Sequence, residues 1–270
     1  MTSCAQRCNA GCVHAFTPPP SIDPALLLAA YRVGVFPMAD TRDDPDIYWV
    51  EPRRRAILPL DGFRCSRSLA RTLRRGRFEV TCNAAFDRVI DECAAPRRET
   101  EETWISGRIA RAYRDLHALG HAHSIECWQS GELVGGLYGV GFDRVFCGES
   151  MFSRVPDASK VALAWLAAAL RMAGGRLLDC QFITAHLASL GAVEITQARY
   201  LKLLAAAQAS GAAGGGAGLA EGAADGDAAG FGAAGAAAGL PEGFAALVAG
   251  AEKSSSSPGN FIAQSLTQTS

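Results

Sequence analysis

Apolar positions along this chain change period several times, and each change marks an element. Leu26, Leu27, Leu28 and Tyr31 recur at helical spacing behind Pro24. With Ser21 as a cap and Gly34 as a stop, they predict a helix over residues 21–34. Ile47-Tyr48-Trp49-Val50 reads as a strand, and residues 53–60 read as a basic strand or loop ending at Asp61-Gly62. A second helix opens at Ser66, runs through Arg75 and closes at Gly76. Residues 77–82 alternate as a strand, 86–93 repeat as a helix, and 96–102 form a charged loop. A helix over 106–119 stops at Gly120.

Three strands are predicted next, over 123–129, 132–140 and 144–147. Ser130-Gly131 is a turn signal that makes the first two a hairpin. Residues 160–172 form a strongly apolar helix, a candidate crossover to a parallel neighbour, and 177–182 form a buried strand. Short helices over 184–190 and 200–207 follow. The pattern from 66 to 207 defines an α/β fold with a mixed sheet. Beyond Gln208, Ala and Gly dominate, with a Ser run at 254–257. Such residues supply little apolar area to offset ordering entropy, so a disordered low-complexity tail is expected over 208–270. The expected organisation is a disordered leader over 1–20, a small N-terminal α+β domain over 21–62, a mixed-sheet domain over 63–207, and the tail.

Composition narrows the function. Net charge is −1, so any nucleic-acid contact must come from a local basic patch. Nine cysteines, an odd count with no Cys-x-x-Cys pair, point to reduced thiols and a cytoplasmic location. Cys4, Cys8 and Cys12 before His14 could line one helix stripe. Structural zinc prefers tighter pairs, so a disordered leader is the preferred reading and no metal is expected. No apolar run reads as a secretory signal or a span, so no membrane partner is expected.

Three features carry candidate chemistry. Between Arg53 and Arg77 stand nine arginines and one acid, Asp61. Arg67, Arg71, Arg74 and Arg75 fall three and four apart, which makes one helix face cationic and suits phosphate. A merely solvated face is the alternative. Glu149, between Gly148 and Ser150, is a strand-end acid, although a structural Glu capping a neighbouring helix would look alike. Strand alternation puts Asp179 and Gln181 on one face of an apolar run, where burial is costly unless they are paired. A site and a paired core Asp both fit. His117, His121 and His123 straddle a helix end and read as capping and core residues. The chain has no P-loop and no Gly-x-Ser-x-Gly elbow.

Taken together, Phe36-Pro37-Met38, Ser66-Arg67-Ser68-Leu69, Thr103-Trp104-Ile105, Gly135-Gly136-Leu137-Tyr138-Gly139, Gly148-Glu149-Ser150-Met151-Phe152-Ser153-Arg154 and Asp179-Cys180-Gln181 resemble the bacterial leucyl/phenylalanyl-tRNA–protein transferases over about residues 22–206. The resemblance implies an acetyltransferase-type (GNAT-like) domain. It implies transfer of Leu or Phe, and in some cases Met, from aminoacyl-tRNA to proteins with N-terminal Arg or Lys, which creates an N-degron. It assigns catalysis to Asp179 and Gln181, an orienting role to Glu149, and a substrate wall to Trp104 and Leu137. Leu137 stands where the family often has Met, a swap that keeps apolar volume. Phe146 and Ser153, which bracket the Glu149 motif, are grouped with the substrate site. Arg67, Arg71, Arg74 and Arg75 would hold tRNA. An aminoacyl ester is already activated, so no cofactor is expected, and nothing suggests more than a monomer. Residues 153–160 hold no glycine-rich pyrophosphate loop, which counts against acetyl-CoA. The rival readings are an acetyl-CoA-dependent N-acetyltransferase and a non-catalytic tRNA-binding module. The expected mechanism has Asp179 polarise Gln181, which meets the attacking amine.

Overall fold

In the computed structural model α1 (Pro24–Arg32) begins later than the sequence suggests, because Asp23 caps it by accepting from Ala25 N at 2.9 Å. Ser21 instead donates its hydroxyl to Asp115 at 2.8 Å, which pins the chain to a later helix. The structure describes residues 21–96, 102–212 and 239–267. The leader and most of the charged loop at 96–102 lie outside them.

After α1, β1 (Phe36–Met38) pairs antiparallel with β2 (Tyr48–Val50) in a two-stranded ribbon. The main sheet has seven strands in the order β4-β5-β6-β7-β8-β3-β9. Its members are β3 (Arg54–Ile57), β4 (Glu79–Cys82), β5 (Ala122–Gln129), β6 (Glu132–Phe142), β7 (Val145–Ser153), β8 (Leu177–Gln181) and β9 (Val193–Thr196). All neighbours are antiparallel except β7 and β8. The predicted crossover joins that parallel pair as α5 (Ala158–Met172).

Two expectations are corrected. β3, assigned to the small N-terminal domain, lies inside the large sheet between β8 and β9. The strand β9 was not anticipated. Its four residues are too few to show a period, and β3 supplies all of its ladder.

Helices cover both faces. One carries α5 with α2 (Arg67–Arg74). The other carries α1, α3 (Phe86–Ala94), α4 (Gly107–Ala118) and α7 (Gln197–Ala212). The predicted caps Ser66 and Ser106 accept from Leu69 N and Ile109 N. The short α6 (Ala185–Ser189) is capped by Thr184. Among the histidines, His117 binds the Ala122 carbonyl and stacks on Phe86 at 4.1 Å. Burial lowers the His123 pKa to about 4.

The expected disordered tail is also corrected over its described residues, while 213–238 lie outside them. Helix α7 runs on to Ala212, and two further helices follow, α8 (Leu240–Lys253) and α9 (Pro258–Thr267). Leu240, Leu247, Ile262 and Leu266 are buried against α5 and its neighbours, and Phe244 packs on Trp165 at 5.1 Å. The Ala/Gly content hid these few large residues. Glycine also helps here, since a Cβ on Gly243 would lie 2.2 Å from the Ala169 carbonyl oxygen. Only glycine lets the two backbones approach that closely. Among the described residues, no helix is long and apolar enough to cross a membrane, and no group of three His, Cys, Asp or Glu could hold a metal.

Candidate active site

The pairing of β6 with β7 sets the site. Tyr138 faces Ser150 and Gly139 faces Gly148, so Glu149 is the extra residue of a β-bulge. Bulges bend a strand and re-aim a side chain, and they recur beside active sites. Here the bulge delivers Glu149 to a cavity of about 590 Å3, within the size range of small-molecule pockets.

The cavity lining combines apolar and polar side chains. Leu137, Met151, Leu163, Leu166, Leu178 and Leu187 supply apolar lining, from β6, β7, α5, β8 and α6. Phe36, Met38 and Trp104 form another wall, and Trp104 is tied to the segment after β1 by Ala39 N donating to its carbonyl at 3.3 Å. Glu149, Gln181, Thr184 and His186 supply the polar groups. His186 Nε2 is buried without a partner, and burial lowers its pKa.

Glu149 and Gln181 touch directly. Gln181 Nε2 donates to Glu149 Oε1 at 2.9 Å, and Tyr113 Oη donates to Glu149 Oε2 at 2.9 Å. Tyr31 Oη lies 2.7 Å from Tyr113 Oη, extending the chain into the core. Burial pushes the Glu149 carboxyl up to about 7, although the tyrosine hydroxyls and Arg55 partly restrain it. A carboxyl poised there exchanges protons near neutral pH.

Asp179 takes the paired-core position that the strand pattern left open. It is fully buried and does not line the cavity. Arg55 grips it with Nε at 2.9 and 3.1 Å and Nη2 at 2.5 Å, and Tyr200 Oη donates at 3.0 Å. The Arg55 guanidinium is sandwiched between Phe36 at 4.7 Å and Tyr200 at 4.5 Å, and its Nη1 donates to the Gly34 carbonyl at 2.9 Å. Burial opposes the Arg55 charge, but its hydrogen bonds and attraction to Asp179 outweigh that and raise its pKa.

The link from Asp179 to the cavity runs through the backbone. Asp179 Oδ1 accepts from Gln181 N at 2.9 Å, and Gln181 sits in the left-handed region at φ 55°. That conformation is strained for a residue other than glycine and persists only when its surroundings fix it. Asp179 fixes it, so the expected side-chain polarisation of Gln181 by Asp179 is replaced by a backbone latch.

The other expected residues divide. Trp104 and Leu137, which the resemblance grouped as a substrate wall, both line the cavity. Phe146 does not: it is buried core, with its ring edge filling the space above Gly139. Ser153 is also outside the cavity, where its hydroxyl donates to the Val155 carbonyl and accepts from Ser159 N at the start of α5. Arg67, Arg71, Arg74 and Arg75 lie exposed along α2, away from its buried Leu69, Ala70 and Leu73. Among the described residues no carboxylate pairs with them.

Sequence reasoning missed Arg55, Tyr31, Tyr113 and Tyr200. Arg55 was counted among the surface arginines. The tyrosines sit on apolar helix faces, where the ring explains the pattern and the hydroxyl leaves no trace. Tyr113 spaced four from Ile109, with Leu116 three further on, marks an inward hydroxyl that needs a partner.

The cavity sets apolar side chains beside an ionisable carboxyl, and the comparisons with known proteins say to which enzymes such a chain belongs. The family model described as Leucyl/phenylalanyl-tRNA protein transferase matches residues 57–205. The model described as that family's N-terminal domain matches residues 21–53. A protein of Novosphingobium aromaticivorans named leucyl/phenylalanyl-tRNA–protein transferase is 67% identical over 259 residues, covering 93% of this chain and 98% of its own. Relatives of the same name from Rhizorhabdus wittichii and Zymomonas mobilis are 62% and 58% identical over 184 and 189 residues. Those matches cover 68% and 70% of this chain, and 74% and 70% of theirs. The chain belongs to the leucyl/phenylalanyl-tRNA–protein transferase family and is an aminoacyltransferase.

Proposed function

We propose that this chain transfers leucine or phenylalanine from aminoacyl-tRNA to the α-amino group of proteins that begin with Arg or Lys, and so marks them for proteolysis in the cytoplasm. The observation that carries this reading is the cavity, lined largely by apolar side chains and holding the hydrogen-bonded Glu149–Gln181 pair. Such a pocket rejects charged side chains and separates similar hydrocarbons weakly, which suits a donor set of Leu and Phe with Met as a lesser member. The acetyltransferase-like character of the sheet belongs to the same reading, supported by the parallel β7–β8 pair and the bulge beside it.

The chemistry needs only proton handling. The acceptor amine has a pKa near 8 and is mostly protonated at pH 7. Once neutral, it attacks the ester carbonyl carbon. The new C–N bond forms as the bond to the ribose oxygen breaks. Glu149 takes the proton shed by nitrogen and returns it to the departing oxygen, which regenerates the carboxylate. Gln181 fixes Glu149 through its amide N–H, and its side-chain oxygen is left to orient the amine. Asp179 acts through Gln181 as a positioning residue.

The deciding assay offers leucyl-, phenylalanyl- and arginyl-tRNA, and separately acetyl-CoA, to peptides starting with Arg, Lys or Ala. Leu and Phe should pass to the Arg and Lys peptides alone. Acetyl transfer, or no transfer to any peptide, would refute the proposal. For the tRNA body, Arg71→Ala with Arg74→Ala should weaken tRNA binding and reduce the slope of log affinity against log salt by about one per lost phosphate contact. A titration at several salt concentrations reads both, and an unchanged slope would count against the arginine face.

A further inference from the structure

Helix α2 is poorly equipped to hold itself. It has eight residues, whereas isolated helices shorter than about 12–15 residues are marginal in water. Arg67 and Arg71, and Arg71 and Arg75, stand four apart, and Arg71 and Arg74 three apart, spacings at which like charges destabilise a helix. Leu69, Ala70 and Leu73 anchor its inner face to the core.

Its other support comes from beyond the family match, which ends at residue 205. The first turn of α9 meets the end of α2 so closely that a Cβ on Gly259 would lie 2.0 Å from the Leu73 carbonyl oxygen. Toward the other end of α9, the Ser265 carbonyl accepts from Arg171 Nη1 of α5 at 3.2 Å. Helix α9 therefore bridges α5 and α2, while α8 lies along α5. Between residues 240 and 267 the only charged side chains are Glu242, Glu252 and Lys253, so the hairpin adds no net cation for RNA.

We infer that the α8–α9 hairpin is a brace that keeps the self-repelling arginine helix folded, and thereby sets how tightly the enzyme holds the body of its tRNA. The inference rests on α2 being the phosphate-binding face. The hairpin acts through helix order rather than through contacts of its own, and the chemistry of the cavity is independent of it.

The test uses the full chain with Gly259→Val, which forces α9 off the α2 backbone, and Ile262→Ala, a milder loosening of its buried face. Amide exchange in residues 67–75 should speed up by about tenfold or more in Gly259→Val, as a locally destabilised segment does. The KM for charged tRNA should rise about tenfold with kcat little changed, since only binding outside the reacting centre is lost. Transfer from a 3′-aminoacyl-adenosine, which lacks the tRNA body, should stay within about twofold of the parent, which also shows that the variant is folded. Ile262→Ala should move the same readouts less. Added salt should shrink the exchange difference, because it screens the arginine repulsion. Unchanged exchange in α2, or an unchanged tRNA KM while Arg71→Ala with Arg74→Ala raises it, overturns the brace. If that arginine pair also leaves the KM untouched, the assignment of α2 to tRNA has failed instead.

Discussion

Glu149→Gln is expected to lower transfer by about 100- to 10,000-fold, the range a positioned general base contributes. The substitution keeps the shape. A glutamine oxygen can still accept from Gln181 Nε2, and Tyr113 can still pair with the new amide. Only the ability to take a proton is removed. The pH profile of kcat/KM carries the signature. In the parent it should rise through about pH 7, where burial places the Glu149 carboxyl, and again near the amine pKa of about 8. The variant should keep the amine limb and lose the other. Stability supplies a second reading. The carboxyl is raised from 4.5 to about 7, so the folded state holds its proton more tightly than the unfolded chain does. The stability this proton provides is complete below pH 4.5 and is lost as pH rises through 7. Urea denaturation at pH 5 and pH 8 should therefore differ less in Glu149→Gln than in the parent. A variant within threefold of parent activity would remove Glu149 from the chemistry.

The second large effect is on folding as well as turnover. Asp179→Ala should cost about 3–5 kcal/mol of stability, because it strands the Arg55 guanidinium in the core. The double variant Arg55→Met with Asp179→Leu separates the two roles. Apolar replacement of a whole buried ion pair is often neutral or stabilising, so denaturation should recover most of the loss. Transfer should not recover, since Gln181 N has lost the oxygen that holds its left-handed backbone. Full activity in the double variant would show that the latch is dispensable. Near-parent stability of Asp179→Ala would show that the buried pair is not the anchor its geometry describes.

What the sequence disclosed follows from what each residue must do locally. Ser66 and Ser106 declare helix starts because their hydroxyls have one useful partner nearby. Ser130 and Gly131 declare a hairpin because both adopt positive φ, 53° and 80°. Glu149, Asp179 and Gln181 stood out as polar groups in apolar strands, and the structure brings all three to one network. The rest depended on distant contacts. Arg55 was hidden because β3 is covered on both faces, so no alternation separates it from Arg53 and Arg54 on the surface. Phe146 and Ser153 were drawn in by proximity to Glu149 along the chain. In a strand, proximity does not decide which side chain meets the ligand. Helices α8 and α9 were lost in average composition, since a few well-spaced large residues on an apolar partner outweigh many alanines.

The placement of β3 between β8 and β9 has a consequence for synthesis. Arg55 leaves the ribosome long before Asp179, its partner 124 positions later. Until β8 and β9 follow, β3 has neither neighbour, and the carboxylate that latches Gln181 does not yet exist. Closing such a separation is slow and comes late in folding. The growing chain therefore lacks the Glu149–Gln181–Asp179 network until almost all of the family core has been translated, and a fragment released early exposes an unpaired strand edge, a template for aggregation.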